Sequence, residues 1–244
     1  KEPISVHVDT PVDEVIQTIE KYNLVAVPVV DSIGRLVGRI TVDDVMDEVR
    51  EQAERDYQLA SGLSQDVETD DSVLRQTTAR LPWLLIGMLG GIGNSMILGN
   101  FDTTFAAHPE MALYIPLIGG TGGNVGTQSS ALVVQGLANS SLDANNTWKQ
   151  ILKESVVALI NATIISMLVY IYNFVRFGAT ATVSYSVSLS LFAVVMFASI
   201  FGTLVPMTLE KLKIDPAIAT GPFISITNDI IGMLLYMGIT VLLS

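Results

Sequence analysis

The residue best suited to chemistry in this sequence is an aspartate that stands inside a hydrophobic segment. Residues 221–244 read GPFISITNDIIGMLLYMGITVLLS, and Asp229 is the only ionisable side chain there apart from a tyrosine. The segment is long enough to cross a bilayer as a slightly tilted helix. A carboxylate at that depth costs about 3 kcal/mol and normally faces a bundle interior or a water-filled cavity. Asp229 is therefore a candidate cation ligand.

Helical spacing places small and polar residues on one side of this segment, while Ile, Leu, Met and Phe occupy the other faces. The members of this side are Gly221, Ser225, Asp229, Gly232 and Tyr236, and Asn228 flanks them. We interpret the pattern as a cation pathway with Asp229 as its charge. The alternative is a buried aspartate paired with a base or an asparagine of another helix. Apart from Lys153 at the edge of one predicted span, the hydrophobic segments contain no Lys or Arg to pair with it, which favours the pathway.

A second polar stretch lies within another hydrophobic segment, where residues 116–130 read PLIGGTGGNVGTQSS. It is not a phosphate-binding loop, because the GKS/T ending is absent. Irregular backbone at membrane depth is tolerated only where it is buried in protein or lines water. We predict a pore wall that faces the Asp229 helix; the alternative is a tight helix crossing that uses glycine for close approach. The predicted lining residues are Gly122, Gly123, Asn124, Thr127, Gln128 and Asn228.

Composition fits a membrane protein with a soluble part, because 50% of the 244 residues are hydrophobic and only 15% are charged. The absence of cysteine excludes disulfides and thiolate metal sites. The net charge of −11 lies mainly in the first 80 residues, which hold 8 basic and 17 acidic groups. No basic face is present, so a nucleic-acid partner is not expected. The chain does not begin with Met, and we expect a further N-terminal portion.

Five hydrophobic segments are predicted to span the membrane, and the loops between them set their orientation. The predicted spans are residues 81–100, 111–138, 151–174, 187–209 and 221–244. Lys and Arg concentrate before the first span and in the loops after the second and fourth, whereas the opposite loops contain only Arg176. This asymmetry places the soluble domain in the cytoplasm and the C-terminus outside a cell (inner) membrane.

Two patterns of small residues predict close packing of the first and fourth spans. Gly87, Gly91, Ser95 and Gly99 recur at every fourth position of the first span. Ala198 and Gly202 have the same spacing in the fourth span. Such stripes allow helix backbones to approach closely. We take them as candidate packing faces for a homodimer, since one aspartate per chain makes a poor divalent-ion site alone.

The N-terminal residues predict a small α/β unit. ISVHV is a short strand, and TPVDEVIQTIEKYN is an amphipathic helix with Thr10 as its N-cap and Val12, Val15, Ile16 and Ile19 facing inward. LVAVPVVD and LVGRIT are strands joined by the turn SIGR, and Thr41 caps the helix that follows.

An acidic helix is predicted over residues 43–60, followed by a polar linker at 61–72. Its acids recur every three or four residues at Asp44, Asp47, Glu48, Glu51 and Glu54. Such a side is ordinarily a solvated helix face, but it can also bind divalent cations.

The N-terminal unit resembles a CBS (cystathionine β-synthase) domain. The matching residues are VPVVD at 27–31, the turn residue Gly34 and GRITVDD at 38–44. In that family the Thr and the Asp three residues later contact an adenosine nucleotide. The resemblance therefore implies Gly38, Thr41 and Asp44 as a nucleotide site, with ATP as its ligand. CBS domains work in pairs and only one is present here, so the alternative is a dimerising module in which Thr41 and Asp44 simply cap a helix.

The whole chain resembles the MgtE family of magnesium channels. The resemblance rests on the CBS domain, the acidic helix, five spans, PLIGGTGGNVGTQSS and ITNDIIGMLLY. It implies a helical membrane bundle with five transmembrane helices and a small cytoplasmic α/β CBS domain. The expected boundaries are 1–49 for the CBS domain, 50–80 for the acidic helix and linker, and 81–244 for the pore domain.

The same resemblance implies a homodimer with a Mg²⁺ pore on its axis, embedded in membrane lipid. Asp229 would hold hydrated Mg²⁺ with help from the backbone near Ser225. Mg²⁺ in the cytosol would bind Asp44, Asp47, Asp56 and Asp215 and close the pore. The family pattern has further acids where this sequence has Asn23, Gln52 and Arg55, although Glu51 and Glu54 stand beside the latter two.

Parts of the sequence also fit functions other than that of a magnesium channel. One is a CBS-regulated carrier of another divalent cation, and another is a membrane-anchored nucleotide sensor, which would need neither Asp229 nor the glycine run. An enzyme is disfavoured, because His7 and His108 lie outside the predicted spans and no second carboxylate within them is expected to pair with Asp229.

Overall fold

The structure, a computed structural model, describes residues 3–138, 142, 147–178 and 182–243. The chain divides into two compact units, residues 1–56 and residues 57–244. Each unit has its own hydrophobic core.

The first unit contains a three-stranded sheet of order β1–β2–β3, formed by β1 (Val6–His7), β2 (Ala26–Val30) and β3 (Leu36–Thr41). β1 runs parallel to β2, and β2 pairs antiparallel with β3 so that Val27 lies opposite Ile40. Helix α1 (Val12–Tyr22) connects β1 to β2, as a parallel pair requires. The small core consists of Val6, Val15, Ile19, Val27 and Val45.

The hairpin between β2 and β3 is held by Asp31 and Gly34. Gly34 has a φ of +78°, which a residue without a side chain adopts at little cost. Asp31 Oδ1 accepts hydrogen bonds from the backbone N–H groups of Arg35 and Ile33. The bond from Arg35 is the main reason that the pKa of Asp31 lies below its ordinary value. The predicted turn SIGR is thus confirmed.

The predicted N-cap of α1 is wrong by one residue. Pro11 occupies the cap position and supplies no side-chain hydrogen bond, since it has none to offer. Thr10 Oγ1 instead accepts a hydrogen bond from the backbone N–H of His7, 3.0 Å away. Val12 is exposed, so the inward face consists of Val15 and Ile19 with Ile16 beside them.

Helix α2 (Val42–Ala60) is one continuous helix that carries the acidic residues. Its start is fixed by Asp44, whose Oδ2 accepts hydrogen bonds from the N–H (2.9 Å) and the hydroxyl (2.7 Å) of Thr41. These bonds, first the one from the hydroxyl, lower the pKa of Asp44. The acidic helix predicted over 43–60 is confirmed.

The regular secondary structure in the described residues of the second unit consists of helices. Its long helices are α3 (Val73–Gly99), α5 (Ile115–Ala138), α6 (Thr147–Phe177), α7 (Thr182–Lys211) and α8 (Pro222–Leu243). The short helix α4 (Asp102–Ala107) and a 3-10 helix (Pro109–Tyr114) connect α3 to α5. A second 3-10 helix (Pro216–Ala219) precedes α8.

Four of these helices, α3, α6, α7 and α8, are long and apolar enough to cross a membrane. The second predicted span, residues 111–138, is not among them. Helix α5 has 24 residues, which is sufficient length, but its Gly, Thr, Asn and Gln reduce its apolar character. The glycine run does not interrupt α5, because every residue from Ile115 to Ala138 is helical. The irregular backbone that the glycine run would permit is therefore not observed.

Helix α7 is the centre of the second unit and packs against α5, α6 and α8. It approaches α5 so closely that a methyl group built on Gly202 would lie 2.4 Å from the carbonyl oxygen of Gly126. Only glycine permits such a backbone approach. The small pair at Ala198 and Gly202 therefore packs within the chain, and the prediction of a dimer face there is wrong.

Among the long helices, helix α3 packs mainly on α8. The contact is made by Gly90, since a methyl group there would lie 2.5 Å from Ile226 Cγ2. In the predicted stripe, a methyl group on Gly87 would contact Ile226 at van der Waals distance. A methyl group on Gly91 or Gly99 would meet no atom within 4 Å. The stripe is thus not the intrachain packing face of α3.

Candidate pore site

The carboxylate of Asp229 on α8 faces a side of α5 that lacks side chains. A methyl group on Gly119 would lie 3.4 Å from Asp229 Oδ1, and one on Gly123 would lie 3.6 Å from the same atom. Gly123 is closer still to Ser225, whose Oγ would lie 2.8 Å from such a methyl group. Asp229 and Ser225 thus share one face of α8, as predicted, and both are half-buried.

Asn228 lies beside this face and is nearly inaccessible, with 1% of its surface exposed. It packs on Gly122 and Gly126, and a methyl group on Gly126 would lie 1.9 Å from its Nδ2. Neither side-chain atom of Asn228 has a hydrogen-bond partner among the described residues. A buried amide without partners costs about 1–3 kcal/mol, so it is found where it serves a polar site.

The other predicted lining residues of α5 do not join this face. Thr127 donates a hydrogen bond from Oγ1 to the carbonyl oxygen of Gly123 (2.8 Å), which ties it to its own helix. Asn124 is exposed. Gln128 is also exposed and lines a separate cavity between α5 and α6. Within one chain the predicted pore wall therefore reduces to glycines, which bring the α5 backbone to Asp229.

Sequence reasoning missed one buried carboxylate, that of Glu154 on α6. Only 8% of its surface is exposed, and its Oε1 accepts hydrogen bonds from Ser129 of α5 (2.6 Å) and Ser199 of α7 (2.5 Å). Glu154 does not hydrogen-bond with Asp229. Its position near the predicted start of the third span was the signal that could have revealed it.

The acidic residues proposed for regulation lie along α2. Asp44 and Asp47 are exposed, and Asp56 is half-buried. Glu54 pairs with Arg50 (3.0 Å) and Glu51 with Arg55 (3.5 Å), so these two glutamates already have cationic partners. In the described residues no three His, Asp or Glu side chains come close enough to hold a metal ion together.

Asp215, the fourth proposed regulatory acid, caps the 3-10 helix before α8. Its Oδ1 accepts a hydrogen bond from the N–H of Ala217 at 2.8 Å. The side chain remains exposed.

The implied nucleotide residues Gly38, Thr41 and Asp44 lie on β3 and at the start of α2. Both polar groups of Thr41 are already bonded to Asp44. The observed geometry is that of a helix cap.

A single carboxylate with nearby hydroxyl and amide groups suits a divalent cation that keeps its water shell. Mg²⁺ releases water reluctantly and is usually held by few protein ligands. Weak, water-mediated binding also allows the ion to leave, which conduction requires.

A helical bundle with membrane-length helices, an aspartate facing glycines at its centre and an N-terminal α/β unit define a membrane transport protein. The profile of the MgtE family, described as divalent cation transporters, matches residues 115–239, just over half of the chain. The CBS domain profile matches residues 1–51. The chain belongs to the MgtE family, which consists of transporters and not enzymes, and it is a multi-pass membrane protein.

Three curated relatives are each named "Magnesium transporter MgtE". The protein of Bacillus subtilis is 34% identical over 227 residues, which cover 93% of this chain and 50% of the relative. Those of Enterococcus faecalis and Thermus thermophilus are both 33% identical and cover 97% and 98% of this chain. The chain spans about half the length of these relatives.

Proposed function

We propose that this chain forms the pore part of a homodimeric channel that conducts Mg²⁺ passively into the cytoplasm and closes when cytosolic Mg²⁺ is high. The observation that carries the proposal is the position of Asp229 against Gly119 and Gly123 of α5. The carboxylate there lies beside backbone that carries no side chains, where a hydrated ion could bind. The membrane potential supplies about 2.3 kcal/mol per charge per 100 mV, so a divalent ion is driven inward without an ATPase.

A homodimer follows from the weakness of one carboxylate as a divalent-ion site. A two-fold axis beside α8 would bring two copies of Asp229 to one pathway, since each chain repeats the same contacts. The name shared by the three relatives supports Mg²⁺ as the substrate. The orientation proposed from the Lys and Arg distribution puts the N-terminal unit in the cytoplasm of a cell (inner) membrane.

We propose that Mg²⁺ binding to α2 changes the position of α8 through the contact between the end of α2 and the start of α8. A methyl group on Gly221 would lie 2.0 Å from the carbonyl oxygen of Ala60, and one on Gly62 would lie 2.6 Å from Pro222 Cγ. The last residues of the acidic helix thus abut the start of α8, seven residues before Asp229. When Mg²⁺ neutralises Asp44, Asp47 and Asp56, α2 can approach the second copy and bias α8 toward a closed position.

The test is Mg²⁺ flux into vesicles that contain the purified full-length protein. Asp229→Asn keeps size and hydrogen bonding but removes the charge that offsets ion dehydration. We expect flux near background from Asp229→Asn and reduced flux with altered selectivity from Asp229→Glu. Asp102→Asn, the same change at an exposed residue of α4, is the control and should conduct normally. A folded Asp229→Asn protein with normal flux would show that the pore lies elsewhere.

The nucleotide proposal is tested separately with Thr41→Val. ATP that binds the N-terminal unit through Thr41 should bind this variant several-fold more weakly in calorimetry. Unchanged ATP affinity would leave Thr41 and Asp44 as a helix cap.

A further inference from the structure

The carboxylate of Glu154 borders a cavity that the proposed pore does not use. The cavity has a volume of about 540 Å³ and lies between α5 and α6, with Ser199 of α7 at its inner end. Its polar wall includes Gln128, Gln135, Asn161, Lys153, Glu154 and Ser199. Helix α8 contributes no lining residue, so this space is distinct from the face between α5 and α8 that holds Asp229.

The hydrogen bonds of Glu154 leave one of its oxygens for a ligand. Ser129 and Ser199 both donate to Oε1. Each hydroxyl has one proton, so the contact of 3.0 Å between the two serine oxygens is not a further hydrogen bond. Within the described part of the chain no hydrogen bond or ion pair reaches Oε2. Three helices thus fix the carboxylate through its first oxygen, while its second oxygen has no partner among the described residues.

The donor set of this cavity suits a cation. Carboxylate and amide oxygens are the ligands that hard divalent cations prefer. A buried carboxylate among apolar helices is costly unless a cation or hydrogen bonds compensate it. Lys153 borders the same cavity but forms no ion pair with Glu154 among the described residues, so it does not neutralise this group.

We propose that Glu154 forms a second intramembrane cation site, which takes a hydrated divalent ion through Oε2 with the amides of Gln128 and Asn161. The ion is held through its water shell, because a single carboxylate and neutral amides compensate only part of the dehydration of a small divalent ion. Ser129 and Ser199 position the carboxylate. The site lies on the side of α5 remote from Asp229.

The test counts bound Mn²⁺ by electron paramagnetic resonance on the full-length protein that carries Asp229→Asn. This background removes the proposed pore ligand, so the result does not depend on the proposed function. Glu154→Gln retains an oxygen that accepts both serine protons and removes only the charge. We expect the Glu154→Gln protein to bind one Mn²⁺ fewer per chain. The Mn²⁺ that Mg²⁺ displaces from this site should be absent as well. Glu210→Gln, the same change at an exposed residue of α7, should retain it.

A purely structural role predicts a different result, because Glu154→Gln keeps the serine contacts. Unchanged Mn²⁺ stoichiometry and affinity in a folded Glu154→Gln protein would overturn the proposal. Gln128→Met provides a second measurement, since it alters the cavity wall and leaves the carboxylate and its serines in place. We expect Mn²⁺ affinity to fall several-fold in this variant, and an unchanged affinity would likewise overturn the site.

Discussion

Gly126 of α5 and Asn228 of α8 are packed so closely that position 126 has no space for a side chain. A methyl group there would lie 1.9 Å from Asn228 Nδ2 and 2.7 Å from Ile224 Cγ2. On its other side, the carbonyl oxygen of Gly126 meets Gly202 of α7. One glycine thus sets the distances among three helices, and through them the position of Asp229.

Gly126→Ala is therefore expected to destabilise the second unit. Overpacking of this kind typically costs about 1–3 kcal/mol. Gly120→Ala is the matched control on the same helix, because its methyl group would meet nothing within 4 Å and alanine improves helix propensity by up to about 1 kcal/mol. Thermal unfolding in detergent should separate the two. Equal unfolding temperatures would show that α5 and α8 adjust freely.

Gly123→Ala should lower Mg²⁺ flux, since its methyl group would lie 2.8 Å from Ser225 Oγ and intrude beside Asp229. Removal of the hydroxyl in the Gly123→Ala, Ser225→Ala double variant should restore part of the flux. The vesicle assay measures this coupling as a double-mutant cycle. Additive effects of the two changes would show that the contact does not limit permeation.

Thr41→Val should raise the pKa of Asp44 toward its ordinary value of 3.8, because the hydroxyl of Thr41 is the main group that lowers it. A lowered pKa in the folded protein adds stability that is present above the unfolded-state pKa and lost as the pH falls through the folded-state pKa. The variant should accordingly lose less stability on acidification. Carboxyl titration by NMR measures the shift, and Thr18→Val, which affects only a bond within α1, is the control.

The triple variant of Asp44, Asp47 and Asp56 to Asn should conduct at high internal Mg²⁺, where we propose that the native protein closes. The amide oxygen introduced at position 44 would still accept a hydrogen bond from Thr41, so the start of α2 should persist. A triple change of Asp13, Glu14 and Glu20 to the corresponding amides on α1 removes the same number of charges and should leave inhibition intact. Vesicles loaded with graded Mg²⁺ report both, and inhibition that persists in the first variant would place the sensor elsewhere.

The proposed orientation predicts opposite labelling of two single cysteines in a protein that has none of its own. Thr103→Cys in α4 should react with a membrane-impermeant maleimide added outside intact cells. Leu212→Cys, just after α7, should react only after the membrane is opened. Labelling of Leu212→Cys from outside would reverse the orientation of every span.

The sequence by itself determined most of the helices and strands and a candidate ion ligand. Period-two and period-3.6 patterns predicted the strands, α1 and the acidic helix, and long apolar runs predicted α3, α6, α7 and α8, because these signals depend on neighbours along the chain. Asp229 was recognised as a candidate for the same reason. The energetic cost of a charged side chain in an apolar helix is evident from the residues that surround it in the sequence. The continuous helix through the glycine run was not predicted, as glycine is compatible with both a broken and a regular backbone.

Only the tertiary structure decided which faces meet. Gly119, Gly123 and Gln128 lie in one predicted span, but the sequence does not show which of them faces α8. In the structure the two glycines face Asp229, whereas Gln128 lines another cavity. The pairing of Ser129 and Ser199 with Glu154 joins residues 25 and 45 positions apart in the chain. Such contacts depend on the distances and rotations of packed helices, which are set by many side chains at once and leave no periodic signal in any one segment.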